Sequence, residues 1–288
     1  MRGIPTLVTT LAAALVIVTP YALLMGRRGG RYRALPGWLG AWVQFAVLLV
    51  LLSRVPRAYS FPVLGAVMFI ALKEYFFLTP SRPQDRWAIF LTYLAVPLAL
   101  WPAWKGSFDL LSAATGIGLF LLIPVLLSIV PRQPGLLDSL GRLLLGVILF
   151  VFCAAHLGLM THDPAGTLEL FGIVGLFADL PQRLTGRIRP GEERARPVLG
   201  VAVSVALASG LGAIFGPKAG LSTLHGGVAG TLTALAMAGG SLVSDAVARD
   251  LSRTASDAML GRAAFLDRIL PALYAAPVFY HYLQAVAS

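Results

Sequence analysis

Ten apolar stretches run the length of the chain, at residues 4–25, 37–53, 61–78, 87–104, 107–130, 137–160, 166–180, 197–216, 224–248 and 266–286. Short polar or proline- and glycine-bearing connections separate them. Most approach the roughly 20 residues that a helix needs to cross a hydrocarbon core about 30 Å thick. Inside lipid a backbone must satisfy its own N–H and C=O groups, so each stretch is predicted to be helical. The pattern predicts an all-α fold, a polytopic transmembrane helical bundle of about ten spans. The seventh stretch is short and the ninth is rich in glycine, which sets the range at eight to ten. The first stretch follows a single Arg2 and lacks a small-residue cleavage pattern before Gly26-Arg27-Arg28, so it reads as a retained span. The spans group as N-terminal (1–60), middle (61–165) and C-terminal (166–288) parts of one integrated membrane domain.

Composition agrees with the pattern. Hydrophobic residues make up 57% of the chain and charged residues 12%, against about 25% charged in ordinary soluble domains. The net charge of +10 raises the question of nucleic acid. Its distribution answers no, because the positive charge sits in loops between apolar runs and no aromatic-basic sheet motif or basic helix stripe accompanies it. The odd-numbered connections hold sixteen arginines, and the even-numbered ones hold only Arg54, Arg57, Lys105 and Lys218. By the positive-inside bias the odd connections are predicted to be cytoplasmic, with both termini on the other side. The expected location is an integral, multi-pass position in a bacterial-type inner membrane. The segment Arg187–Pro197 is the one hydrophilic insertion and reads as a cytoplasmic loop. Gly210/Gly212 and Gly226/Gly230 suit close helix packing in lipid. Cys153 has no partner for an internal disulfide and reads as a small buried hydrophobe.

Ionisable groups in or beside membrane spans are costly and therefore mark candidate sites. Three clusters qualify. In the first, Asp179 and Gln182 are three apart at the end of the seventh run and share a helical face, with Arg183 and Arg187 following. In the second, Ser241, Asp245 and Arg249 recur every four residues along the ninth run. In the third, Asp267 and Arg268 open the last run. Each also has a purely structural reading: an Asp179–Arg183 pair, an Asp245–Arg249 pair one turn apart, and an acid that favours a helix start. His156, His162, His225 and His281 lack metal-ligand spacing. No nucleophile elbow, phosphate-binding Walker loop or dinucleotide fingerprint occurs.

Taken together, the clusters resemble the phosphatidate cytidylyltransferases, also called CDP-diacylglycerol synthases. The resemblance rests on Gly240, Arg249-Asp250 and Asp267-Arg268, in register with one residue deleted between, and on the ending Ala275-Ala276-Pro277-Val278-Phe279-Tyr280-His281. Asp179, Gln182, Gly186 and Arg187 resemble an element of one bacterial branch. Leu72-Lys73-Glu74-Tyr75-Phe76-Phe77-Leu78-Thr79-Pro80 resembles that branch's third-span ending. The likeness covers about residues 60–288. It implies a membrane-embedded enzyme joining CTP to phosphatidate with release of pyrophosphate, a polar site on the cytoplasmic side, and Mg2+ as cofactor. It also implies a homodimer. Carried over residue by residue, it implies Asp267 and Asp245 as catalytic groups. Asp179, Asp245 and Asp267 would be metal ligands, and Arg249, Arg268, Gln182, Arg187 and Ser241 would contact phosphate or substrate.

Several family positions are altered. Ser241 stands where the family has an acid and Ala248 where it has lysine. Thr254-Ala255 replaces a Lys-Asp pair, Arg262-Ala263-Ala264 replaces a His-Gly-Gly run, and Leu270 replaces the last acid. Joining two polyanions needs divalent metal and cations to offset developing charge, and Mg2+ takes oxygen ligands. Losing carboxylates and lysines lowers that capacity. The expectation is therefore a cytidylyltransferase-type protein with reduced or lost activity, against a non-catalytic lipid- or partner-binding relative and, from another class, a transporter. Internal repeats would favour transport, and none is evident in the sequence.

Overall fold

A computed structural model describes residues 4–27, 35–79, 85–129, 135–185, 195–252 and 266–287. Among the described residues there is no strand, and ten helical rods follow the ten apolar runs. They are α1 (Ile4–Arg27), α2 (Leu35–Arg54), α3 (Arg57–Leu78), α4 (Arg86–Lys105), α5 (Phe108–Leu111 continuing through Leu119–Ile129), α6 (Leu136–His162), α7 (Thr167–Thr185), α8 (Ala195–Phe215), α9 (Thr223–Ser252) and α10 (Leu266–Ala287). Eight are long and apolar enough to span a membrane by length and composition. The other two are α7 and α10.

Burial explains why α7 and α10 are the more polar pair. Fourteen of the nineteen residues of α7 are buried, so its side chains face protein rather than lipid. α6 is likewise 78% buried across its span, whereas α5 and α8 are only 22% buried and present leucine, valine and isoleucine outward. A helix enclosed by other helices can carry acids that a lipid-facing helix cannot. α1, α2, α8 and α9 pack around α7, and α10 lies against α9 and α6. The N-terminal spans are thus built onto the C-terminal ones, and one apolar core runs through the whole bundle.

One departure from uniform helix has a local cause. α4 is interrupted at Leu94, between Arg86–Tyr93 and Ala95–Lys105. Pro97 has no N–H and its ring crowds the carbonyl four residues back, at Tyr93. The chain tightens there into a three-residue bond from the Leu94 N–H to the Leu91 carbonyl, at 3.0 Å. π-helical turns occur at Ser112–Gly118 in α5 and Ile148–Phe152 in α6.

Contacts between rod ends establish that the rods alternate in direction. At one end the start of α2 meets the end of α7, the Tyr75 hydroxyl donates to the Arg142 carbonyl at 3.1 Å, and Ser139 Oγ donates to Asp85 Oδ2 at 2.7 Å. At the other end Arg54 meets Glu169 and Arg57 donates to the Thr161 carbonyl. Gln284 there donates to Asp163, and His225 Nδ1 lies 2.9 Å from the Tyr282 hydroxyl. Arg27, Arg86, Arg183 and Arg249 therefore all stand on rod ends at the first end, called here the basic end. Exposed Trp87 marks that end of α4, and exposed Trp101, Trp104 and Tyr59 mark the opposite end. Aromatic side chains in two bands suit the two interfaces of a bilayer. The chain is a multi-pass membrane-type helical bundle.

A candidate anion site at the basic end

The seventh run was expected to end at residue 180. Instead α7 continues to Thr185, carrying Asp179, Gln182 and Arg183 on helix. Pro181 lies within it, and the carbonyl of Pro181 accepts from the Thr185 hydroxyl at 3.0 Å. Asp179 is 1% exposed and paired with Arg183, whose Nε lies 3.3 Å from Oδ1. Two further donors come from α2. Trp38 Nε1 lies 2.5 Å and Trp42 Nε1 3.0 Å from the same oxygen, Oδ2. The two indoles are four residues apart and so share one face of α2. This is how a buried carboxylate is tolerated: one cation and two fixed N–H donors take its lone pairs.

Gly175 sets how close α2 and α9 come to α7. A Cβ there would lie 3.0 Å from the Trp42 ring and 3.6 Å from the Met237 sulfur. α7 and α9 run parallel, so one turn further toward the basic end brings Asp179 on α7 level with Ser241 on α9. Ser241 is 4% exposed, and its Oγ has no hydrogen-bond partner. Asp245 follows half-buried and Arg249 exposed, so the expected stripe climbs from the interior to the surface. α10 joins at Gly240, where a Cβ would sit 2.9 Å from Pro271 Cα and 2.8 Å from Tyr274 Cβ. α10 is antiparallel to α9, which puts the backbone of Asp267, one turn before Pro271, about level with Asp245. Trp42 also lines a shallow apolar crevice with Ala41, Phe45, Ile269 and Ala272, between α2 and the start of α10.

The positions expected to carry chemistry thus fall in four groups. Asp179 and Ser241 are buried at one depth on packed helices. Asp245 and Arg249 lie further along the same face of α9. Gln182 is buried, with its Nε2 donating to the Ala178 carbonyl at 3.1 Å. Arg187 and the side chains of Asp267 and Arg268 lie outside the described residues. The magnesium role fits Asp179 poorly, since an ion would have to displace an indole or guanidinium donor. Among the described residues no three His, Cys, Asp or Glu side chains are grouped to hold a metal ion.

The reading of the sequence missed Trp38 and Trp42. Their spacing of four at the start of a span was the available signal, but nothing in the sequence pairs them with an acid about 140 residues away. It also missed Glu169, fully buried in the first turn of α7, with Oε1 3.1 Å from Arg54 Nη2. An acid inside a membrane run was signal enough to single it out. That pair lies at the opposite end, apart from the Asp179 cluster.

No family model matches the chain. It is similar to the uncharacterized protein YnbB of Escherichia coli (strain K12), 26% identical over 278 residues, which cover 90% of this chain and 89% of that one. The similarity therefore runs through nearly the whole bundle rather than one segment.

Proposed function

We propose that this chain is a membrane protein of the phosphatidate cytidylyltransferase type that handles an anionic phospholipid headgroup at its basic end, with nucleotidyl transfer reduced or lost. The observation that carries the reading is the buried Asp179, held by Trp38, Trp42 and Arg183 and level with the unpartnered hydroxyl of Ser241. A membrane protein accepts the cost of burying such groups where they serve a polar ligand or a proton or ion path. The register of α10 brings Asp267 and Arg268 of the sequence motif to the same end. The altered positions, Ser241 and Ala248 among them, support weakened transfer chemistry rather than full activity.

In an active form, Mg2+ would supply neutralisation of the charge that builds up when two polyanions are joined. The residues of this chain would bind and orient the lipid phosphate through Arg183 and Ser241. The reading is tested by giving the purified full chain phosphatidate, Mg2+ and labelled CTP. Phosphatidate should be retained. Label should enter lipid slowly or not at all, and any that enters should disappear in Asp267→Asn. Failure to retain phosphatidate would overturn the reading. Solute uptake into proteoliposomes without lipid product would replace it with transport.

A further inference from the structure

We infer that Asp179 serves this site as the brace of Arg183 and not as a metal ligand, so that the phosphate of an anionic phospholipid is held here without a divalent ion. The inference rests on the reading above and narrows it.

A metal-binding carboxylate turns one oxygen to the ion and is steadied by hydrogen bonds on its remaining lone pairs. Asp179 has no oxygen turned to an open space. Oδ2 takes both indole N–H groups, Oδ1 takes the Arg183 Nε–H, and the residue is 1% exposed. The Trp42 ring is itself wedged against Gly175 and Phe45. Magnesium keeps several of its waters and demands near-octahedral room, and this packing provides none around the carboxylate.

The same contacts do fix an arginine. Anchoring Nε on a rigid carboxylate fixes the plane of the guanidinium. Its side chain is 14% exposed, so the group reaches from the interior toward the mouth of the bundle. A planar, oriented guanidinium is the preferred side chain for phosphate. A second donor stands ready on α9: the buried Ser241 hydroxyl has no partner and lies at the depth of Asp179. The neighbouring crevice of Ala41, Trp42, Phe45, Ile269 and Ala272 is apolar. An anion with acyl chains attached meets both surfaces, whereas inorganic phosphate meets only the first.

The test uses the full chain in phosphatidylcholine nanodiscs containing a minor fraction of labelled phosphatidate, with EDTA or with Mg2+. Retention of phosphatidate should be the same in both. It should weaken about tenfold or more in Arg183→Gln, and several-fold in Ser241→Ala and in Trp42→Phe, which keeps an aromatic ring and removes the indole N–H. Ser241→Ala preserves volume closely enough to separate a binding loss from a folding loss, with helicity by circular dichroism as the control for all three variants. Retention that vanishes in EDTA and returns with Mg2+ would overturn the inference while leaving the lipid reading intact. So would bound Mn2+, seen by electron paramagnetic resonance and lost in Asp179→Asn. Displacement of the lipid by millimolar-range inorganic phosphate, estimated from the weak affinity of a single small anion, would overturn the assignment to a lipid. Absence of retention under every condition would overturn the lipid reading itself.

Discussion

Asp163 shows how one side chain at the turn between α6 and α7 couples this protein to pH. It accepts from Gln284 of α10 at 2.8 Å through Oδ1, while Oδ2 is buried without a partner. Burial pushes its carboxyl up from the ordinary 3.8 to about 6, and the Gln284 hydrogen bond offsets part of that rise. A raised carboxyl value means the fold disfavours the ionised form. The contribution is intact below about pH 4, where Asp163 is protonated folded and unfolded alike, and it is lost as pH rises through about 6. In Asp163→Asn the melting temperature should therefore lose that part of its decline between pH 4 and pH 6.5. An unchanged pH profile would show that Asp163 is not buried as described. The residues hardest to read from sequence were those whose role is set by a distant partner. Asp179–Arg183 pairing follows from spacing alone, and the structure contains it. The two indoles that complete the cluster come from another span, and no local rule names them.

At the scale of elements, the ten runs were legible because length and apolarity are what the bilayer demands of any span. Ends and interruptions were less so. α7 runs one turn beyond its apolar stretch because Asp179, Gln182 and Arg183 are received by protein rather than by lipid. The break in α4 follows from Pro97, which the run 87–104 does contain. The α8–α9 hairpin shows that a glycine matters only where a neighbour approaches. A Cβ at Gly230 would run into the Ala208 carbonyl, and one at Gly226 into the Gly212 carbonyl, whereas Gly210 has nothing within 4 Å. Gly230→Leu should part the two helices and cost about 3 kcal/mol or more. Gly210→Ala should be neutral or slightly stabilising, since alanine is the better helix former. Thermal unfolding of the two variants side by side checks the contrast, and equal losses would contradict the seam.

For the whole molecule, the alternation of ten rods turns a linear charge pattern into a polarised object. Among the described residues, Arg27, Arg86, Arg183 and Arg249 are scattered in sequence and lie at one end, and Asp179 and Asp245 lie toward that end with them. Which side of the membrane that end faces is an expectation from the charge bias, whereas the gathering itself follows from packed rod ends. The direct test is labelling of single cysteines, in a Cys153→Ala background, by an impermeant maleimide in sealed vesicles of both orientations. Cysteines at positions 183, 249 and 268 should react from one common side, and cysteines at 57, 163 and 218 from the other. If 183 and 268 react from opposite sides, the polar groups do not meet at one face and the proposed headgroup site does not exist.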